Sequence, residues 1–252
     1  MNQGLYAAAT GMVTIEGRHE TIANNIANAS TAGFKRQNAV QEGFYSYFTR
    51  ALKRPFQFDM VAGPGGGARM FETYSDLAAG ALGETGNPLN VALQGLGYLA
   101  VDTSRGERFT RAGTFTIDVD GNLATPDGHK VQNAEGGAID VRGGQVQIAE
   151  DGAVRVDGAA RGRVRVVEFQ DPHMLSREGD TLLVASEDAL KRSTQAADTR
   201  VVQGYLELSN VSLAREMIDM TLGLRAYGAN QRVVNSVDET LSRLIEQVGM
   251  PL

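Results

Sequence analysis

Two stretches at opposite ends of the chain carry a helical repeat. Leu5, Ala8, Met12, Ile15, His19, Ile22 and Ile26 are spaced 3-4-3-4-3-4. That is the a/d seam of a coiled coil, narrower than the apolar stripe of an ordinary surface helix. Near the other end Leu213, Met217, Met220, Leu224, Tyr227, Gln231 and Val234 step 4-3-4-3-4-3. The seam continues through Val237, Leu241, Leu244 and Val248 after a three-residue slip, which overwinds a coiled coil locally. Asn210 or Ser212 is placed to cap this second helix, and Gly249 and Pro251 end it. Glu239 and Arg243 form an i,i+4 pair on it. At 1.5 Å per residue the helix runs to roughly 55 Å.

The first helix is poor in intrinsic helicity. Gly4, Gly11 and Gly17 lie inside it, each costing about 1 kcal/mol relative to Ala. Off-seam positions are mostly Ala, Thr, Asn and Gly, with charge only around Glu16, Arg18 and Glu20. Such a helix is marginal in water, and its small residues admit close neighbours on several faces. The pattern predicts a helix that orders only when surrounded. The two seams are therefore expected to meet other subunits rather than to form the core of an ordinary α+β domain.

Between the helices the period changes to two. The segments "TFTIDV", "QVQIA", "AVRV", "RVRVVEF" and "TLLVA" read as short strands. Asp120-Gly121, Asp127-Gly128, Asp151-Gly152 and Asp157-Gly158 signal hairpins with type I′ turns, which need positive φ at both central residues. The fold class expected is α+β: terminal helices forming a coiled-coil-like assembly domain, and a central antiparallel β-rich domain. The boundaries expected are 1–35 for the N-terminal helical part and 36–83 for an extended connector. They are 84–207 for the β domain and 208–252 for the C-terminal helix. The connector holds the aromatic "FYSYF" (44–48) and the flexible "AGPGGGAR" (62–69).

Composition narrows the chemistry. The 252 residues carry a net charge of −6, which argues against a broad nucleic-acid footprint. There is no cysteine, so disulfides, thiolate catalysis and cysteine-ligated metal are excluded. "GPGGGAR" lacks the Gly-Lys-Ser/Thr end of a phosphate-binding loop and reads as a plain loop. "DVDGN" (118–122) spaces carboxylates as a calcium loop does, but Leu123 and His129 stand where that loop needs Gly and Glu, so a hairpin is expected. His19, His129 and His173 have no second ligand at metal spacing. His19 sits on the first seam, where a polar residue sets register. Asp171 and Glu178 flank His173 in a surface loop. No catalytic, cofactor-binding or metal-binding constellation emerges. The N-terminus has no basic region followed by an apolar core, and no apolar run reaches the ~20 residues of a membrane span. These signals alone describe a cytoplasmic protein.

One stretch changes that picture. "ANNIANASTAGFKR" (23–36) resembles the N-terminal signature of bacterial flagellar rod and hook proteins, through Asn24, Asn25, Ala27, Asn28, Thr31, Gly33, Phe34 and Lys35. The blocks at 87–131 and 203–241 resemble the β-domain start and C-terminal helix block of the same family, in the same order. Asn90, Tyr98-Leu99 and Ser212 depart mildly from its pattern. Length and the segment "VRVVEFQDP…GDTLL" are most similar to the proximal rod members. The resemblance implies a non-enzymatic structural subunit without cofactor, in the basal-body rod that spans the periplasm. It implies copies of itself, other rod proteins and the flagellar type III export apparatus as partners, with neither nucleic acid nor a small-molecule substrate. It also explains a missing signal peptide, because family members leave the cell uncleaved. The expected assembly interface is Leu5, Met12, Ile15, Ile22, Ile26, Phe34, Leu213, Met217, Met220, Leu224, Tyr227, Val234, Leu241 and Val248. In the signature, Asn28 is expected in the left-handed conformation that ends the helix, Ser30 and Thr31 to bond freed backbone groups, and Phe34 to anchor in a neighbour. The rival readings are a distal rod or hook protein of the same family, and a carbohydrate-binding or wall-cleaving β domain.

Overall fold

The first helix, α1, runs Asn2–Ala27, and the last, α3, runs Leu213–Val248. A short helix, α2, spans Glu187–Lys191 with Ser186 as its N-cap. The structure is a computed structural model that describes residues 2–43, 68–196 and 198–248. "FYSYF", most of "AGPGGGAR", and the stop at Gly249 and Pro251 lie outside the described residues. Among the described residues no helix is long and apolar enough to cross a membrane.

The chain divides into two units. The first joins 1–27, 37–76 and 212–252. In it α1 and α3 pack on each other, and strands Gln37–Gly43 and Ala68–Ser75 pair antiparallel, with Gln37 opposite Ser75. The span expected as a connector thus contains a hairpin that belongs with the helices. The second unit joins 28–36 and 77–211.

The β unit has an extended antiparallel sheet. Its path runs from Leu175–Glu178 through Leu182–Ala185, Gly106–Thr110, Tyr98–Thr103, Lys130–Val131 and Leu123–Ala124 to Thr116–Ile117. Strand Val166–Phe169 also pairs with Tyr98–Thr103, and Ser193–Gln195 pairs with Val166–Phe169. Val146–Ile148, Ala153–Val156 and Ala159–Arg163 form a smaller sheet. Each segment that alternates in the sequence contains a strand.

The central strand Tyr98–Thr103 explains why there are two apolar clusters. Side chains of a strand point alternately to its two faces. Leu99 and Val101 enter one cluster with Leu123, Val131, Ile139 and Val154, while Tyr98 and Ala100 enter the other with Phe109, Phe169 and Leu183. In the second cluster Phe109 meets Phe169 edge-on, with ring centroids 4.9 Å apart.

The turns differ from expectation in an instructive way. Only Asp157-Gly158 has positive φ at both residues, 51° and 83°, as type I′ requires. At 118–122, 125–129 and 149–153 the Gly N–H bonds three residues back, and the first residue's N–H bonds the fifth residue's carbonyl. This is the three-residue loop in which Gly alone takes the left-handed conformation. Asp118 Oδ1 accepts from Asn122 N at 2.8 Å, and this bond holds the carboxyl below the usual range. The carboxylate thus closes the turn, in keeping with the hairpin expected there.

Candidate assembly interface

The helical unit is held by polar contacts. Asn25 is fully buried. Its side-chain amide donates to Gln37 O at 2.8 Å, and its Oδ1 accepts from Gln37 N at 2.8 Å. One side chain thereby mimics a neighbouring strand and pins the start of the hairpin. The same amide donates to Glu216 Oε2 at 3.2 Å, and Glu216 is fully buried on α3. Arg18 reaches Asp219 at 3.5 Å.

Two glycines set the spacing of the pair. A Cβ on Gly223 would lie 2.3 Å from His19 Nε2, and one on Gly11 would lie 2.9 Å from Asn230 Nδ2. Asn25 with Glu216, His19 with Gly223 and Gly11 with Asn230 run in opposite directions, so α1 and α3 are antiparallel. His19 lies in this contact, its Nε2 buried without a hydrogen-bond partner.

The line on α3 that faces α1 is therefore Glu216, Gly223 and Asn230, spaced by sevens. Met217 and Leu224 lie one residue further on, about 100° round the helix. They are exposed, as are Leu213, Tyr227 and, nearby, Ile218 and Leu222. Met220, Val234 and Leu241 are half-buried. The side chain of Val248 lies outside the described ones. On α1, Ile22 is buried, and Leu5, Met12, Ile15 and Ile26 are half-buried. The chain thus uses polar and small residues for its own helix pair and leaves much of the apolar seam of α3 uncovered.

The second half of the signature belongs to the β unit. α1 ends at Ala27, and Asn28 O accepts from Thr31 N at 3.1 Å. Thr31 Oγ1 also bonds Asn28 Oδ1 at 3.1 Å. The left-handed residue is Gly33, at φ 70°, and Asn28 is not among the residues of positive φ. Gly33 also has no room for a side chain, since a Cβ would lie 2.3 Å from Ala112 N. Its N–H donates to Glu207 O at 2.7 Å.

Phe34 is fully buried in its own chain. The Arg177 guanidinium lies 4.3 Å over its ring and donates to Lys35 O at 3.3 Å. Burial pushes the Arg177 pKa down, with Asp180 opposing. The neighbour's pocket expected for Phe34 is thus replaced by one within the chain, because Gly33 turns the ring inward.

Lys35 Nζ donates to Glu207 Oε1 at 2.5 Å and to Ala78 O at 2.7 Å. Gly80 N donates to the same Oε1 at 2.9 Å, and Arg111 Nη1 reaches Glu207 Oε2 at 3.2 Å. The side chains of Lys35, Arg111 and Glu207 are 6%, 3% and 1% exposed. Of the two residues expected as candidate caps, Asn210 accepts from Arg36 N at 2.7 Å and donates to Ala78 O, and Ser212 stands directly before α3 with its O accepting from Glu216 N at 3.0 Å. Sequence reasoning missed Glu207, Arg111, Arg177 and Glu216. One signal was available: a lysine directly after a buried aromatic needs a counter-charge.

The comparisons converge on one family. The model described as "Flagella basal body rod protein" matches residues 5–35, ending on Lys35. That of the "Flagellar hook protein FlgE/F/G D1 domain" matches 92–156, and that of the "Flagellar basal body rod FlgEFG protein C-terminal" matches 202–247. The flagellar basal-body rod protein FlgF of Mesorhizobium japonicum is 31% identical over 99% of both chains. The rod protein FlgG of Caulobacter vibrioides is 32% identical over 95% of this chain and 97% of its own. FlgG of Bacillus subtilis is 28% identical over 97% and 98% respectively. With a family model matching through the signature and relatives matching along nearly its whole length, this chain belongs to the flagellar basal-body rod protein family and is a structural subunit of the rod.

Proposed function

We propose that this chain is a proximal rod subunit that polymerises through its terminal helices with copies of itself and with other rod proteins. The observation that carries the reading is the uncovered apolar seam of α3, where Leu213, Met217, Leu224 and Tyr227 are exposed. Fully burying one such side chain contributes about 1.5–3 kcal/mol, so a row of them is a strong drive to association. Repeated head-to-tail contacts that do not close generate a helical filament. The work is torque transmission, which is mechanical and requires neither catalysis nor a cofactor. Export through the flagellar type III apparatus accords with the weak intrinsic helicity of α1, since the chain must travel unfolded.

The relatives divide between FlgF and FlgG, and the proximal assignment rests on chain length and the "VRVVEFQDP…GDTLL" segment. Electron microscopy of basal bodies carrying a labelled copy of this chain tests it. Label in the part of the rod nearest the cell is the expected result. Label confined to the far end of the rod would transfer the assignment to the distal subunit.

A further inference from the structure

The chain passes between the two units four times, at 27/28, 36/37, 76/77 and 211/212. On the β unit's side these passages are tied together. Segment 28–36 is held by Gly33 N on Glu207 O and by Lys35 on the Glu207 carboxylate. Segment 77–80 is held by Gly80 N on that carboxylate and by Ala78 O, which accepts from both Lys35 and Asn210. The return at 207–211 supplies Glu207 itself and Asn210, which accepts from Arg36 N.

We propose that Glu207 is a conformational clasp that gathers the exits of the β unit, closing only when the signature lysine and the C-terminal strand are both in place. Lys35 and Glu207 are 172 positions apart, so no local segment can close it. The clasp touches the second apolar cluster, where the Arg111 guanidinium lies 4.8 Å over the Tyr98 ring and Leu77 packs against the cluster, but nothing of it enters the cluster of Leu99 and Val101. Among the described residues, strand Tyr205–Glu207 pairs with Leu82–Glu84 in a two-stranded sheet of its own. Opening it should release 28–36 and 77–81 and leave the cluster around Leu99 and Val101 intact. Closure also has a strong preference. Lys35 and Arg111 share the buried Glu207 carboxylate, and breaking a buried ion pair by removing one partner is strongly destabilising. The clasp is a property of the free chain and does not depend on the rod reading.

Amide hydrogen exchange on the purified full-length chain tests this, with Glu207→Gln, Lys35→Met and the double variant. Glu207→Gln keeps the shape and removes the charge. The expected result is exchange at Gly33 and Gly80 at least about 100-fold faster in each single variant. Leu99 and Val101 should change by less than about threefold. The double variant should open no further than the worse single one, since both break one device. Acceleration that includes Leu99 and Val101 equally would make Glu207 an ordinary core contact and overturn the proposal. Unchanged exchange at Gly33 and Gly80, or additive effects in the double variant, would overturn it too. If Glu207→Gln fails to fold, Lys35→Met decides alone, because it leaves the Arg111–Glu207 pair standing.

Discussion

Leu224→Asp separates an intermolecular seam from a private core. Leu224 is 59% exposed in the chain by itself. Burying a leucine completely contributes about 1.5–3 kcal/mol, so covering its exposed part in an assembly contributes roughly 1–2 kcal/mol. Aspartate loses that and must be buried unpaired or take up a proton. Protonation at pH 7 costs about 4 kcal/mol, at ~1.4 kcal/mol per unit above an ordinary pKa near 3.9. Together these weaken each contact by roughly 5–6 kcal/mol, about 10⁴-fold in association. In the free chain the side chain stays in water. Only helix propensity changes, by about 0.5 kcal/mol, which moves Tm by ~1–2 °C. The assay is thermal melting of purified wild type and variant, read beside swimming in a strain carrying only the variant. Melting within ~2 °C of wild type together with lost motility is the expected result. A monomer that melts many degrees lower would place Leu224 in an internal core, and retained swimming would remove it from the interface.

Removing 212–252 takes away the partner of Asn25 on α3 but none of the β unit, whose residues end at Val211. The truncated chain should keep a cooperative β-unit melt and fail to enter basal bodies, and normal motility would contradict this. Gly33→Ala puts a Cβ 2.3 Å from the Ala112 backbone at φ 70°. It should cost at least about 2 kcal/mol, a fall of ~4–8 °C in the Tm of the β unit by calorimetry. Hydrogen bonds from Arg108 and Arg105 hold the Glu178 carboxyl below the ordinary glutamate value of 4.5. Its folded pKa is therefore depressed, and its contribution is present above pH ~4.5 and is lost as the pH falls through the lower folded value. Glu178→Gln should flatten the fall of Tm in that acid window, and an unchanged slope would show that the Arg contacts carry no linkage.

Periodicity is a local property, and it alone located the two terminal helices, the seam residues on each and the alternating strands of the middle. Turn chemistry is nearly as local, which is why all four Asp-Gly pairs mark real reversals. The turn type was not legible there, because φ at the residue before Gly depends on how the flanking strands are paired. The signature motif named the family, but not what its residues do. Gly33, Phe34 and Lys35 take their meaning from Ala112, Arg177 and Glu207, and Asn25 takes its meaning from Glu216, 191 positions away. No spacing rule reaches that far. The seam of α3 shows the same division most sharply. The repeat identified apolar positions such as Met217 and Leu224, but a helix turns about 100° per residue. Only the packed structure shows that α1 takes the neighbouring line of Glu216, Gly223 and Asn230 and leaves the apolar positions beside it bare. One-dimensional pattern fixes which side chains share a face, and the choice of what covers that face belongs to contacts made between distant parts of the chain.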